Sequence, residues 1–214
     1  CCAFLMTLLQ SGLAKSLAED YTIDQSLRFD DGDDAYLSRT FGSATDQKTW
    51  TMSFWVKRGN LGTNQSFFNP KYGGDGFQES NFGWDTNNKI KIIDSGGSRG
   101  QYITTATYRD VGSWYHIIAT LDTTESGASD RFKLYVNGDE VTAFDTETDP
   151  DEDETWGWNA AQNHWIGRRE YGSGDYELDG YLAEFYWIDG TRYAPSDFGE
   201  TDATTNQWKP KDAS

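Results

Sequence analysis

Residues 132–141 read FKLYVNGDEV. Phe132, Leu134 and Val136 alternate with polar positions, which is the period of a strand with one buried face. Asn137-Gly138 follows. Both residues tolerate positive φ, so they suit the type I′ turn whose twist matches that of the two strands it joins. The stretch is a β-hairpin, and nothing in it suggests chemistry. Upstream lies a second apolar run, GSWYHIIATLD (112–122), and downstream a third, LDGYLAEFYWIDG (178–190). TWTMSFWVKR (49–58) is apolar on both faces. Trp50, Met52, Phe54 and Val56 occupy one face and Trp55 the other, the pattern of a central strand covered on both sides.

Shorter runs fill the rest: QSLRFD (25–30), AYLSRTF (35–41), QSFFNP (65–70), NFGWDT (81–86), KIKIID (89–94), YITTAT (102–107) and NHWIGRRE (163–170). Turn signals such as Asn87-Asn88 and Gly96-Gly97 separate them. About a dozen short strands with no internal helix predict an all-β fold, an antiparallel jelly-roll β-sandwich over residues 21–193. DTETDPDEDE (145–154) is too polar for a strand and reads as one acidic loop. Residues 194–214 read as an extended C-terminal tail packed around Phe198 and Trp208. Residues 1–20 differ from the body. Phe4, Leu5, Leu8, Leu9, Leu13 and Leu17 recur at three- and four-residue spacing, which predicts a short amphipathic helix. The apolar stretch is too short to span a bilayer. It suits attachment to a particle, or assembly with copies of the same chain.

The bulk composition narrows the function classes. The 214 residues suit one large domain, and 15% are aromatic, including nine Trp, so a core of large rings is expected. The net charge of −17 excludes a phosphate-binding surface, and with it nucleic acid as a partner. It also disfavours an anionic membrane and fits a solvated acidic surface or divalent cations. The two cysteines are Cys1 and Cys2, so the body carries neither a disulfide framework nor a cysteine zinc site.

Four segments in this order carry a family resemblance: QSLRFDDGDDAYLSRT, TWTMSFWVKRGNLG, GSWYHIIATLD with RFKLYVNGDEV, and HWIGR with LDGYLAEFYWIDG. The markers are Trp55-Val56-Lys57, Trp114-Tyr115-His116, Tyr135-Val136-Asn137-Gly138 and the closing Gly180-Tyr181-Leu182-Ala183-Glu184. Together they resemble the concanavalin A-like lectin/glucanase superfamily, in its laminin-G-like or pentraxin-like branch, over residues 24–190. The finer wording, with the tail APSDFGET, looks most like structural proteins of tailed bacteriophages. That resemblance implies a non-enzymatic virion surface protein, in a fibre, decoration or tail component. Its partners would be other virion proteins, copies of itself and a host surface glycan. The alternative is a secreted or cell-surface, calcium-dependent lectin module, lipid-anchored through Cys1.

A glycosidase is the disfavoured alternative. It needs two carboxylates flanking the scissile bond. The glucanase branch carries Glu-x-Asp-x-x-Glu on one strand. Here Glu177 and Asp179 match, but Leu182 stands at the second glutamate position and Glu184 falls on the opposite face. His116 sits in an apolar strand and His164 begins one beside Trp165. No Ser-His-Asp motif, metalloprotease motif or phosphate loop accompanies them. No catalytic residue is therefore expected.

Calcium is the candidate cofactor, because acidic loops supply the oxygens it takes. Asp30, Asp31, Asp33 and Asp34 in one turn and Asp151 and Asp153 in another are the candidate ligands. For a glycan, Trp156, Trp158, Tyr171 and Tyr176 offer flat rings, with Asn159 and Arg169 as hydrogen-bonding partners, provided that the rings are exposed.

Overall fold

The computed structural model describes residues 21–70, 80–95, 98–171 and 174–213. The expected helix carrying Phe4, Leu5, Leu8, Leu9, Leu13 and Leu17 lies outside them.

In chain order the strands are β1 (Leu27–Phe29), β2 (Leu37–Thr40), β3 (Thr49–Arg58), β4 (Gln65–Pro70), β5 (Asn81–Trp84), β6 (Ile90–Asp94), β7 (Gly100–Thr104), β8 (Tyr115–Asp122), β9 (Phe132–Val136), β10 (Asp139–Glu140), β11 (Phe144–Thr148), β12 (Asn163–Ile166), β13 (Glu170–Tyr171), β14 (Gly174–Asp175), β15 (Gly180–Asp189), β16 (Gly199–Thr201) and β17 (Trp208–Pro210). Two short 3₁₀ turns, Ala128–Asp130 and Pro195–Asp197, stand between strands. Two antiparallel sheets face each other. One has the order β1-β15-β3-β8-β9-β10 and the other β11-β7-β6-β5-β4-β12-β2. This is the all-β sandwich that the strand pattern predicts.

The core lies between the sheets. From the first sheet come Trp50, Met52, Phe54 and Val56 of β3, and from the second Phe67, Phe82, Trp84 and Ile92. The opening hairpin is β9 and β10, with Asn137 at φ 52 and Gly138 at φ 84, the left-handed pair of a type I′ turn. One expectation is corrected here. Residues 145–148, read as part of an acidic loop, belong to β11, which pairs with β7 at the edge of the second sheet. Edge strands tolerate charged outward residues, because charge there blocks pairing with another chain.

The C-terminal segment covers the outer face of the first sheet. Its β16–β17 hairpin brings the Trp208 ring onto His116, stacked at 6.0 Å. Trp208 Nε1 donates to His116 Nδ1 at 2.8 Å. Nδ1 therefore holds the lone pair, and the Nε2–H faces Ser53 Oγ at 2.9 Å. A Cβ on Gly138 would stand 2.5 Å from the Trp208 ring, so the turn glycine also makes room for the tail. Trp208→Ala is expected to lower stability by about 2–3 kcal/mol, because it removes a packed ring and orphans a buried acceptor. Urea unfolding measures this, and a loss below about 0.5 kcal/mol would show that the tail is not docked.

Candidate functional site

The two sheets do not cover each other completely. β1 pairs with β15 only from Gly180 to Leu182. Beyond Leu182, β15 has no neighbour on that side among the described residues. Opposite this gap, β12 and β2 extend the second sheet, with His164 across from Arg39 and Ile166 across from Leu37. Their inner faces therefore lack a facing strand. Leu37 is 46% exposed and Arg39 is also exposed. The result is a cleft of about 670 Å³ between β2, β12, residues 41–45 and the second half of β15. That volume lies within the range of small-ligand sites.

A bulge builds the wall on the β15 side. The register of β15 against β3 shifts between Ala183 and Tyr186, with Glu184 at φ 48. Before the bulge Leu182 points into the core. After it the inward residues are Phe185, which stacks on Phe54 at 5.5 Å, and Trp187, which packs on Trp50 at 5.0 Å. Phe185, Trp187 and Asp189 thus line the cleft. Asn159 braces this wall. Its Nδ2 donates to Asp189 Oδ1 and to the Asp46 carbonyl, both at 2.8 Å, and its Oδ1 accepts from Trp187 Nε1. The Asp46 N–H also donates to Asp189 Oδ1 at 3.0 Å. Asp189 Oδ2 stays without a partner among the described residues.

The opposite wall is Arg39, Phe41 and His164. The Arg39 guanidinium lies 5.4 Å from the Phe41 ring centre and makes no ion pair among the described residues. His164 is 2% exposed, held between Phe41 at 4.5 Å and Phe68 at 5.5 Å. Burial pulls its pKa down to about 4, so the ring is neutral at pH 7. The cleft thus combines aromatic faces, one guanidinium, one carboxylate and several hydroxyls.

The residues singled out for glycan contact lie elsewhere, or act differently from expectation. Trp156 and Trp158 are both 0% exposed. Trp156 packs on Phe132 and donates from Nε1 to the Arg99 carbonyl at 3.2 Å, while Trp158 packs on Trp50 and Phe68. Neither indole has a free face for a sugar, which corrects the expectation of exposed rings. Asn159 reaches the cleft as a brace. Arg169 is buried and sits 5.1 Å from the Tyr176 ring, with the two backbones paired. The Tyr171 side chain lies outside the described set. The sequence reading missed Arg39, Phe41, His164 and Trp187. Their common feature, a place on the walls of a gap between the sheets, depends on sheet order and a bulge.

Among the described residues no group of three or more His, Cys, Asp or Glu is placed to hold a metal ion. Asp30 pairs with Arg28 at 2.9 Å, Asp31 accepts from Asn60 at 2.8 Å, and Asp153 pairs with Lys48 at 2.9 Å. Asp33 and Asp34 complete the first turn, and Asp151 the second, as exposed residues. The two loops lie against opposite ends of the ten-residue β3, near Asn60 and near Lys48. At about 3.3 Å per residue, roughly 30 Å separates them, too far to share an ion. Of the carboxylates considered for hydrolysis, Glu177 lies 3.9 Å from the Arg168 guanidinium. Glu184 accepts from the Tyr21 and Tyr186 hydroxyls, and Leu182 is in the core. Asp179 lies beside Gly59, with burial raising its pKa.

Among the described residues no helix is long and apolar enough to cross a membrane. No curated protein matches the sequence. Among solved structures, a native heptameric SAP-like pentraxin from Limulus polyphemus is 13% identical, with 78% of this chain and 72% of that one covered and a TM-score of 0.46. A Trypanosoma rangeli sialidase in complex with sialic acid is 15% identical with a TM-score of 0.44, over 66% of this chain and 21% of that one. A botulinum neurotoxin type C structure, described by its interaction with two ganglioside molecules, is 12% identical with a TM-score of 0.45, over 67% of this chain and 33% of that one. The chain thus spans about a fifth of the sialidase's length. With TM-scores under 0.5, none of these likenesses bears on what this chain binds. The model of the concanavalin A-like lectin/glucanases superfamily matches residues 30–196, well over half the sequence, and the chain belongs to that superfamily.

Proposed function

We propose that this protein is a non-enzymatic, lectin-like module that binds a carbohydrate in the cleft between β2, β12 and β15. The observation that carries the reading is the uncovered inner face of β2 and β12, where aromatic rings stand beside unpaired polar groups. Sugars present an apolar face and a rim of hydroxyls. Phe41 and Trp187 offer ring surface for the first, and Arg39 and Asp189 offer a donor and an acceptor for the second. A binding role is favoured over hydrolysis because Asp189 is the one carboxylate among the cleft's described lining residues, and glycoside hydrolysis uses a pair. The finer reading is a virion surface protein that engages a host glycan, attached through residues 1–20 and assembled with copies of itself. Its support is the resemblance of QSLRF, TWTMSFWVKRG and APSDFGET to tailed-phage structural proteins.

A glycan array with the full chain tests the reading. Binding is expected, and Phe41→Ala and Arg39→Ala are each expected to weaken it about tenfold or more with little change in stability, since both side chains stand at the cleft rim. EDTA is expected to leave binding unchanged. Loss of binding with EDTA would restore a calcium-dependent lectin. Binding that survives both substitutions would move the site away from the cleft.

A further inference from the structure

His164 carries a chemical instruction about the ligand. Its Nδ1 lies 3.0 Å from the Gln162 carbonyl, which only accepts, so Nδ1 bears the proton. Nε2 then holds a lone pair. That atom is buried and has no hydrogen-bond partner, although the ring forms part of the cleft wall. Phe41 and Phe68 hold the plane of the imidazole and have no donor to offer it. A buried acceptor without a donor is a standing free-energy cost that an incoming group relieves.

We propose that His164 is a specificity-determining residue whose Nε2 accepts a hydrogen bond from a ligand hydroxyl, so that the cleft selects a neutral sugar bearing that hydroxyl over its deoxy counterpart. The inference rests on the cleft reading above. Other ligand classes fit less well. An acidic sugar would bring its carboxylate towards the His164 lone pair and the Asp189 carboxylate. An ammonium group could satisfy both acceptors but would meet the Arg39 guanidinium. A hydroxyl both donates and accepts, so a polyol ring suits two acceptors and one guanidinium together. A site built to hold a hydroxyl rejects the analogue lacking it strongly, because the protein's own polar group is then left unpaired.

The test uses the methyl glycosides of glucose, mannose and galactose and their monodeoxy analogues. They are titrated by NMR into the full chain, His164→Phe, Phe41→Ala and Arg39→Ala. Phenylalanine keeps the stack on Phe68 and removes a buried polar atom, and a thermal midpoint at or above the wild-type value shows that the variant folds. At least one glycoside is expected to bind wild type. One of its deoxy analogues should bind about 10- to 100-fold more weakly. His164→Phe should weaken the parent glycoside by a similar factor and abolish the discrimination. In wild-type protein, the Nε2 nitrogen resonance should move when the parent binds and stay put with that analogue. If His164→Phe keeps the discrimination, or no analogue is discriminated, this inference is overturned while losses in Phe41→Ala and Arg39→Ala preserve the cleft reading. Unchanged binding in those two variants, or no glycoside bound by wild type, overturns the reading and the inference with it.

Discussion

Gly83→Ala is expected to leave little or no folded protein, with a loss of about 4 kcal/mol or more. Gly83 lies in β5, between β4 and β6 in the middle of the second sheet, and pairs with Ser66. Next to that pair the register of β4 shifts between Ser66 and Phe68. The shift drives the two backbones together. A Cβ on residue 83 would stand 1.8 Å from the Gln65 carbonyl oxygen and 2.9 Å from the Ser66 Cα. Both are backbone atoms, so no side-chain rotation relieves the overlap, and β4 and β5 are buried along their whole length. Close packing leaves the sheet no room to part locally. Gly42→Ala is the matched control. A Cβ there meets nothing within 4 Å, and its stability should stay within about 0.5 kcal/mol of wild type. Urea unfolding of the two variants side by side decides the matter. A Gly83→Ala protein as stable as Gly42→Ala would mean that β4 and β5 do not meet as described.

Gly83 also shows where sequence reading ends. Local rules found the strands, because alternation and turn chemistry are properties of adjacent residues. β3 was legible from its two apolar faces, and the hairpin from Asn137-Gly138. The hairpin's second role was not, since it brings Gly138 against Trp208, far along the chain. The Asn137 Oδ1 accepts from the His116 N–H at 2.8 Å, on the strand whose imidazole Trp208 holds. The cleft was hidden for a related reason. In LDGYLAEFYWIDG the inward parity changes at a bulge that leaves no sign in the composition. Strict alternation from Leu182 would turn Glu184 and Tyr186 inward, whereas the bulge turns Phe185 and Trp187 inward instead. Trp156 and Trp158 failed as glycan candidates for the opposite reason. They sit among turn residues and resemble loop rings, but the buried carboxylate of Asp94 receives the Gly157 N–H at 3.2 Å and ties that loop over the core.

Acidification from pH 7.5 to pH 4 is expected to cost up to roughly 4 kcal/mol of stability, at about 1.4 kcal/mol per unit of pKa difference. Burial holds His116 down to about 3 and His164 to about 4, against an ordinary 6.5. A histidine kept neutral in the fold but free to protonate when unfolded makes the unfolded chain the better proton binder. Stability is then complete above pH 6.5 and is lost as pH falls towards the folded values. Asp94 opposes this. Burial raises it to about 6 from 3.8, so the folded state takes up its proton first, and this contribution strengthens the fold as pH falls through 6. Asp179, also raised by burial, acts in the same sense as Asp94, but the two imidazoles outweigh both carboxylates and the net direction is destabilising. Asp110, Asp145 and Asp202, all held below the usual carboxylate range by hydrogen bonds, act in the same sense at lower pH. Loss of the −17 net charge would relieve repulsion and act the other way. His164→Phe separates the two effects, because it changes the buried imidazole and leaves the net charge at neutral pH untouched. Urea midpoints at pH 7.5, 6, 5 and 4 should fall in wild type and fall less in His164→Phe. Parallel curves for the two proteins would show that His164 titrates in the fold as freely as in water, and that the cleft wall is wetter than its two phenylalanines imply.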